Sequence, residues 1–188
     1  MDDPRSDNEL MLGVRGGDLH ALGLLFSRHR ERVHALCRRM TGDPALADDL
    51  VQETFLRILK YGHGFQGNAR FTTWMYRIAR NATIRQLERD SSRDEKEAIA
   101  SHEFDHQRPA GPSDLTEQLG EVLAQLPAEQ REVLILSRYH DLRYSEIAEV
   151  CECSVAAVKA RVYRAMRTLR EQMRTMEQSN EQLRAGEK

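Results

Sequence analysis

Six cations recur along one stretch near the C-terminus: Lys159, Arg161, Arg164, Arg167, Arg170 and Arg174, with Glu171 as the acid among them. Guanidinium and ammonium groups at helical spacing suit one task above others, the neutralisation of phosphate along a nucleic-acid backbone. The apolar residues Val155, Val158, Val162, Met166 and Leu169 repeat on the other side of the same segment, so the spacing predicts an amphipathic helix. Just upstream, Tyr144 to Cys151 reads as a short helix that buries Ile147, Val150 and Cys151. Glu152, Cys153 and Ser154 break the two apart, and the Ser154 hydroxyl suits an N-cap. A short helix, a tight turn and a basic second helix form a helix-turn-helix pattern, which places its second helix in the DNA major groove. The plainer alternative is a solvated face. Cations here crowd the helix after the turn, while the one before it carries Glu146 and Glu149, and a merely solvated face mixes its signs.

Two other clusters could do chemistry. Asp48, Asp49 and Glu53 could be read as a metal or acid–base group, but no histidine or second carboxylate motif accompanies them, and neighbouring carboxylates on a helix diverge. Cys151 and Cys153, with His140 or the histidines His102 and His106, could bind zinc or sense redox state. Their one-residue spacing is shorter than zinc sites use, and buried cysteines also pack as small hydrophobes. The expectation is no catalytic residue, no metal and no cofactor.

The elements that must position these groups are helical, and no convincing strand run appears. A first apolar stripe runs from Asn8 to Thr41 through Leu19, Leu22, Leu25, Phe26, Val33, Leu36, Cys37 and Met40, broken at Gly16 and Gly17. Gly42 ends it, and Asp43-Pro44 restarts a helix as N-cap and first helical residue. That helix, to Tyr61, offers Leu46, Leu50, Val51, Phe55, Ile58 and Leu59 to a core; Asp49, Gln52 and Glu53 fall at i, i+3 and i+4 on its exposed face. A glycine-rich connection, Gly62 to Asn68, precedes a third helix from Phe71 to about Arg89, with Trp74, Met75, Ile78, Ala82 and Leu87 available for burial. This helix interleaves Trp74, Tyr76 and Asn81 with Arg70, Arg77, Arg80, Arg85 and Arg89, a mixture that suits single-stranded DNA. Residues 91–114 are polar and acid-rich and end in prolines and glycine, the composition of a flexible linker. Helicity resumes with Leu119, Val122, Leu123 and Leu126, then Ala128 to His140 with Val133, Leu134 and Leu136 inward. The tail from 176 to 188 is expected to fray. The fold class is therefore all-α: two small helical domains, 1–90 and 115–175, on a flexible linker, the second with a helix-turn-helix.

A net charge of −2 over 188 residues excludes a uniformly basic coat protein and requires local patches for any DNA affinity. Three cysteines argue against a disulfide framework and fit a reducing cytoplasm. No signal peptide or membrane span is apparent, so no membrane insertion is expected.

The order of these parts resembles the extracytoplasmic-function (ECF) sigma factors, compact bacterial initiation factors. DDLVQETFLRIL (Asp48–Leu59) resembles the family's core-polymerase-binding helix and FTTWMYRIARNATI (Phe71–Ile84) its promoter-melting helix. LPAEQREVLILSRYHDLRYSEIAE (Leu126–Glu149) resembles the start of its second domain, and VAAVKARVYRAMRTLRE its recognition helix. The resemblance implies core RNA polymerase, promoter DNA and an anti-sigma factor as partners. It implies polymerase docking through Asp49, Gln52 and Glu53, onto a coiled coil of the largest subunit. It implies −10 recognition and melting through Arg70, Trp74, Arg77, Arg80, Asn81 and Arg85, with the loop from Gly62 to Arg70 forming a pocket for a flipped base. It implies −35 recognition through Ser154, Lys159, Ala160, Arg161, Tyr163, Arg164 and Arg167. The sequence departs from the family pattern at the turn, with Glu152 where glycine is usual, and at Ala156-Ala157, where glycine-threonine is frequent. A stand-alone DNA-binding regulator and a protein-interaction adaptor remain the competing readings.

Overall fold

The computed structural model describes residues 3–100, 123, 125–140 and 142–186, with side chains described to residue 91 in the first stretch and to residue 174 in the last. The chain divides into two compact units, Met1–Pro112 and Ser113–Lys188. Among the described residues the regular structure is helical throughout: α1 (Asp7–Arg15), α2 (Leu19–Thr41), α3 (Pro44–Tyr61), a 3-10 turn (Gly62–Gly64), α4 (Phe71–Ala100), α5 (Ala128–Tyr139), α6 (Tyr144–Val150) and α7 (Val155–Gly186).

Local chemistry fixes most of the helix ends. Ser6 and Glu9 form a reciprocal capping box on α1, and Asp18 accepts from the Ala21 N–H to start α2. Gly42 ends α2 at φ 77°, a left-handed conformation that costs glycine nothing, and Asp43 with Pro44 opens α3 as its sequence requires. In the first unit α2 packs against α1, α3 and α4, and α3 packs against α4. Their common core holds Leu10, Met11, Leu25, Val33, Leu36, Ile58, Phe71, Met75 and Tyr76. Phe26 and Phe55 meet edge to face at 5.0 Å between ring centroids. In the second unit α5 and α6 both pack on α7, burying Val133, Ile135, Leu136, Ile147, Val150, Val158, Val162 and Ala165.

Several expectations require correction. Leu19 and Leu59, expected inside, are exposed, and Leu87 and Val155 are more than a third exposed. Leu19 and Val155 are the first residues of α2 and α7, and Leu59 and Leu87 lie at the edges of their helices' apolar arcs, where a neighbour's position decides burial. Tyr76, grouped by sequence with the DNA-facing aromatics, is only 1 % exposed and belongs to the core. Helix α4 does not stop near Arg89: its backbone continues to Ala100, so the first ten residues of the expected linker are helical. The rest of that linker, 101–114, and the expected helix at Leu119 and Val122 lie outside the described residues. The backbone of α7 runs to Gly186, into the segment expected to fray. The first extension carries Glu, Lys, Arg and Ala and the second Glu, Gln, Arg and Ala, residues of high intrinsic helix propensity.

Candidate polymerase and DNA interfaces

Residues of α3 sort by face as the spacing requires. Ala47, Leu50, Val51, Thr54, Phe55 and Ile58 are buried, whereas Asp49 and Gln52 are exposed and Glu53 is partly so. Glu53 is not free: its carboxylate accepts from Arg57 Nε at 2.6 Å, an i, i+4 pair on the helix surface. Sequence reasoning missed the apolar member of this face. Leu56 follows Gln52 and Glu53 by four and three residues and is 60 % exposed, so the face combines carboxylate, amide and isobutyl groups. A contiguous acidic-polar face with an exposed leucine suits protein contact better than acid–base chemistry.

The loop from Gly62 to Arg70 is shaped from below by aromatic packing. Phe65 is buried against Trp74 at 5.4 Å and against Phe71 at 6.4 Å between centroids. Trp74 therefore contributes to a three-ring cluster and is half-buried. Gly67 takes φ 76°, and Gln66, Asn68, Ala69 and Arg70 are exposed around it. On α4, Arg77 and Arg85 are exposed, at i and i+8; Arg80 lies between them, partly buried, its Nη1 donating to Asn81 Oδ1 at 3.0 Å. The loop and the cationic side of α4 thus belong to one unit and adjoin at Arg70.

In the helix-turn-helix, Ser154 caps α7 by accepting from the Ala157 N–H at 3.1 Å. Lys159, Ala160, Tyr163, Arg164 and Arg167 are all exposed, with Tyr163 at 68 %, while Val158, Val162 and Ala165 are buried opposite them. Arg167 lies 3.7 Å from Glu171 in an i, i+4 pair. Arg161 differs from the other cations. Its side chain is 17 % exposed and its Nη2 lies 2.9 Å from Glu129 Oε2, tying α7 to α5. The turn follows from the backbone. Glu152 adopts φ 52°, and the Cys153 N–H donates to the Ala148 carbonyl at 3.0 Å, the 6→1 bond of a Schellman termination. The chain thus builds with glutamate the left-handed turn that glycine ordinarily supplies.

Among the described residues the cysteines show no metal geometry, and His102 and His106 lie outside those residues. Cys151 is buried and its Sγ lies 3.3 Å from Glu132 Oε1, Cys37 is buried beside Thr83, and Cys153 is partly exposed. Burial pushes the Cys37 thiol up to about 11, so it stays protonated at neutral pH. Among the described residues no group of three or more His, Cys, Asp or Glu is disposed to hold a metal ion, and no helix is long and apolar enough to cross a membrane.

Two helical units with these three faces match two family models in the same order: sigma-70 region 2 over residues 25–93 and sigma-70 region 4 over residues 116–169. The ECF RNA polymerase sigma-E factor of Escherichia coli K12 is 31 % identical over 181 residues, spanning 88 % of this chain and 93 % of that protein. The chain is an ECF sigma factor. It directs promoter-specific transcription initiation and belongs to a family of initiation factors rather than enzymes. Solved structures agree. CnrH, in complex with the cytosolic domain of CnrY, superposes with a TM-score of 0.71 at 25 % identity, covering 90 % of this chain and 97 % of CnrH. The sigma factor RpoE of Bartonella quintana, in complex with the anti-sigma factor NepR, gives a TM-score of 0.64 at 26 % identity, covering 77 % and 91 %.

Proposed function

We propose that this sigma factor acts through three surfaces in the bacterial cytoplasm, without catalysis or cofactor of its own. Asp49, Gln52 and Glu53, with Leu56 between them, dock on core RNA polymerase. The loop from Gly62 to Arg70, with Trp74, Arg77, Arg80, Asn81 and Arg85, captures and melts the −10 element. Ser154, Lys159, Ala160, Tyr163, Arg164 and Arg167 read the −35 element in the major groove. Arg161 joins them only by exchanging Glu129 for phosphate, since in the free protein its guanidinium is engaged. The functional modules are residues 1–90, with the continuation of α4, and residues 115–175.

The observation that carries this reading is the segregation of faces along α7. A buried Val158–Val162–Ala165 strip is opposed by an exposed row of Lys159, Ala160, Tyr163, Arg164 and Arg167, directly after a tight turn. Lysine donates to guanine edges and an aromatic ring touches a thymine methyl, so the row can discriminate bases as well as bind phosphate. With few phosphates engaged by each unit, binding of the isolated protein to duplex DNA is weak, and its salt dependence is shallow, in proportion to the number of phosphates contacted. An inhibitory anti-sigma factor is a further proposed partner, supported by the solved neighbour RpoE, which is bound to one.

The test is run-off transcription by bacterial core polymerase on a randomised promoter library, with and without the protein. Added protein selects templates sharing two spaced elements, and the double substitution Gln52→Ala with Glu53→Ala lowers output from them. Protein-independent transcription, with duplex DNA bound in the absence of polymerase, would instead establish a stand-alone regulator. Binding of neither would leave an interaction adaptor.

A further inference from the structure

The loop assigned above to the flipped base is held only in part by its own contacts, the Phe65 N–H donating to the Gly62 carbonyl at 3.0 Å and the Phe65 ring packing on Phe71 and Trp74. Its side chains Gln66 and Asn68 touch each other at 3.3 Å, but its backbone is gripped from α1, about sixty residues earlier in the chain. Asn8 is the centre of that grip. Its Oδ1 accepts from the Phe71 N–H at 2.7 Å, capping the start of α4, and its Nδ2 donates to the carbonyl of Ala69 at 3.1 Å and to that of Gly67 at 3.5 Å. One amide thus fixes both the first turn of α4 and the last residues of the loop. The neighbouring N–H and carbonyls also define which end of the amide faces which group.

The same side of α1 tracks the rest of the loop. Met11 and Arg15 follow Asn8 at i+3 and i+7, one stripe of a helix. Arg15 Nη1 donates to the Phe65 carbonyl at 3.4 Å. Met11 packs so closely under Gly62 that a Cβ there would lie 2.7 Å from its Cε. Leu12 Cδ2 reaches Gly67 only at ordinary van der Waals distance, 4.0 Å from the position of a Cβ. Gly67, at φ 76°, takes the left-handed conformation within the loop and is reached by both Asn8 and Leu12. Helix α1 is therefore a cradle under the loop, contacting its start, middle and end.

We infer that Asn8 of α1 is a specificity-positioning residue: by holding the Gly67 and Ala69 carbonyls it sets the loop conformation that selects a base of the −10 element, without touching DNA. The inference rests on the proposed role of the Gly62–Arg70 loop. A preformed pocket discriminates because its shape is determined before the base arrives. A loop released from its cradle accepts several bases by adjusting to each.

Asn8→Asp separates positioning from stability. The carboxylate keeps the acceptor for the Phe71 N–H and adds favourable charge to the first turn of α1. It loses the amide donor and turns an oxygen toward the two loop carbonyls. The experiment is run-off transcription by core polymerase on templates carrying each base at each −10 position, alongside thermal unfolding of the same full-length proteins. Gln66→Ala and Asn68→Ala serve as direct loop variants. For Asn8→Asp the expected result is an unfolding temperature within about 5 °C of the parent's, the lost donor being partly offset by charge at the N-terminus of α1, with discrimination at one −10 position reduced about fivefold, the scale of one lost hydrogen bond. Discrimination at the −35 element stays as in the parent. The positioning role is overturned if the loop variants alter −10 discrimination while Asn8→Asp does not. It is overturned too if Asn8→Asp lowers stability and output equally on every template, the mark of a merely structural residue. Should neither loop variants nor Asn8→Asp change −10 selection, the assignment of the loop itself fails, and this inference with it.

Discussion

Glu152 offers a test of the backbone argument at the helix-turn-helix. A residue with a Cβ at φ 52° carries a steric penalty of about 1–2 kcal/mol that glycine does not. Glycine returns part of that gain, about 0.5–1 kcal/mol, because it loses more conformational freedom on folding. Glu152→Gly should therefore stabilise the second unit by a net amount of about 0.5–1 kcal/mol, or about 2–8 °C for a domain of this size. Glu152→Ala is the necessary control, since it removes the same exposed carboxylate near the start of α7 but retains the strain. Its stability should stay close to the parent's, because the carboxylate sits between the C-terminus of α6, where an acid is unfavourable, and the N-terminus of α7, where it is favourable. The single tryptophan, Trp74, lies in the first unit, so its fluorescence follows that unit while far-ultraviolet circular dichroism follows both. The dichroism transition of Glu152→Gly should move up with the Trp74 transition unmoved. Equal stabilities for the glycine and alanine variants would refute the strain argument and show that the left-handed turn costs this chain nothing.

Asp7 supplies a prediction in acid. Its hydrogen bond to His29 Nε2 at 2.7 Å, joined by Arg28, lowers its pKa from the ordinary 3.8. A depressed carboxylate contributes stability that is fully present above 3.8 and is lost as pH falls toward the folded value. Asp7→Asn should accordingly lower stability at neutral pH and flatten the acid limb below about pH 4, measured by denaturant titration through Trp74 fluorescence; an unchanged acid limb would remove Asp7 from that role. For the thiols, Cys153 should react with a thiol reagent in the native protein at neutral pH, with Cys37 and Cys151 reacting only on unfolding. Rapid native labelling of Cys37, identified by peptide mapping, would contradict its burial.

The elements and their ends were largely legible because their causes are local. Asp43-Pro44, Gly42 and Ser154 act within a turn of their own helices, and the period of Val158 and Val162 is set by helix geometry alone. The outward set on α3 and α7 was legible for the same reason: Asp49, Gln52, Lys159, Ala160 and Tyr163 lie opposite strong apolar stripes. Residues at stripe edges and helix starts were not legible. Leu19, Leu59 and Val155 have the same chemistry as their buried neighbours, and only the placement of another helix leaves them in water. Tyr76 errs in the opposite direction, its ring placed in the core where composition suggested a DNA contact.

By itself, then, the sequence determined what depends on spacing along one helix: an all-α chain, a helix-turn-helix, and the sign of each exposed face. Tertiary structure decided which polar groups are spent inside the protein. Arg161 looks like its neighbours Lys159 and Arg164 along the chain, yet Glu129 from α5 draws it inward. Asn8 carries no local signal of its link to Gly67 and Ala69, because the chain closes that contact across some sixty residues. Side-chain periodicity is a property of one helix, whereas a hydrogen bond between distant segments exists only once the packing of several helices has brought its donor and acceptor together.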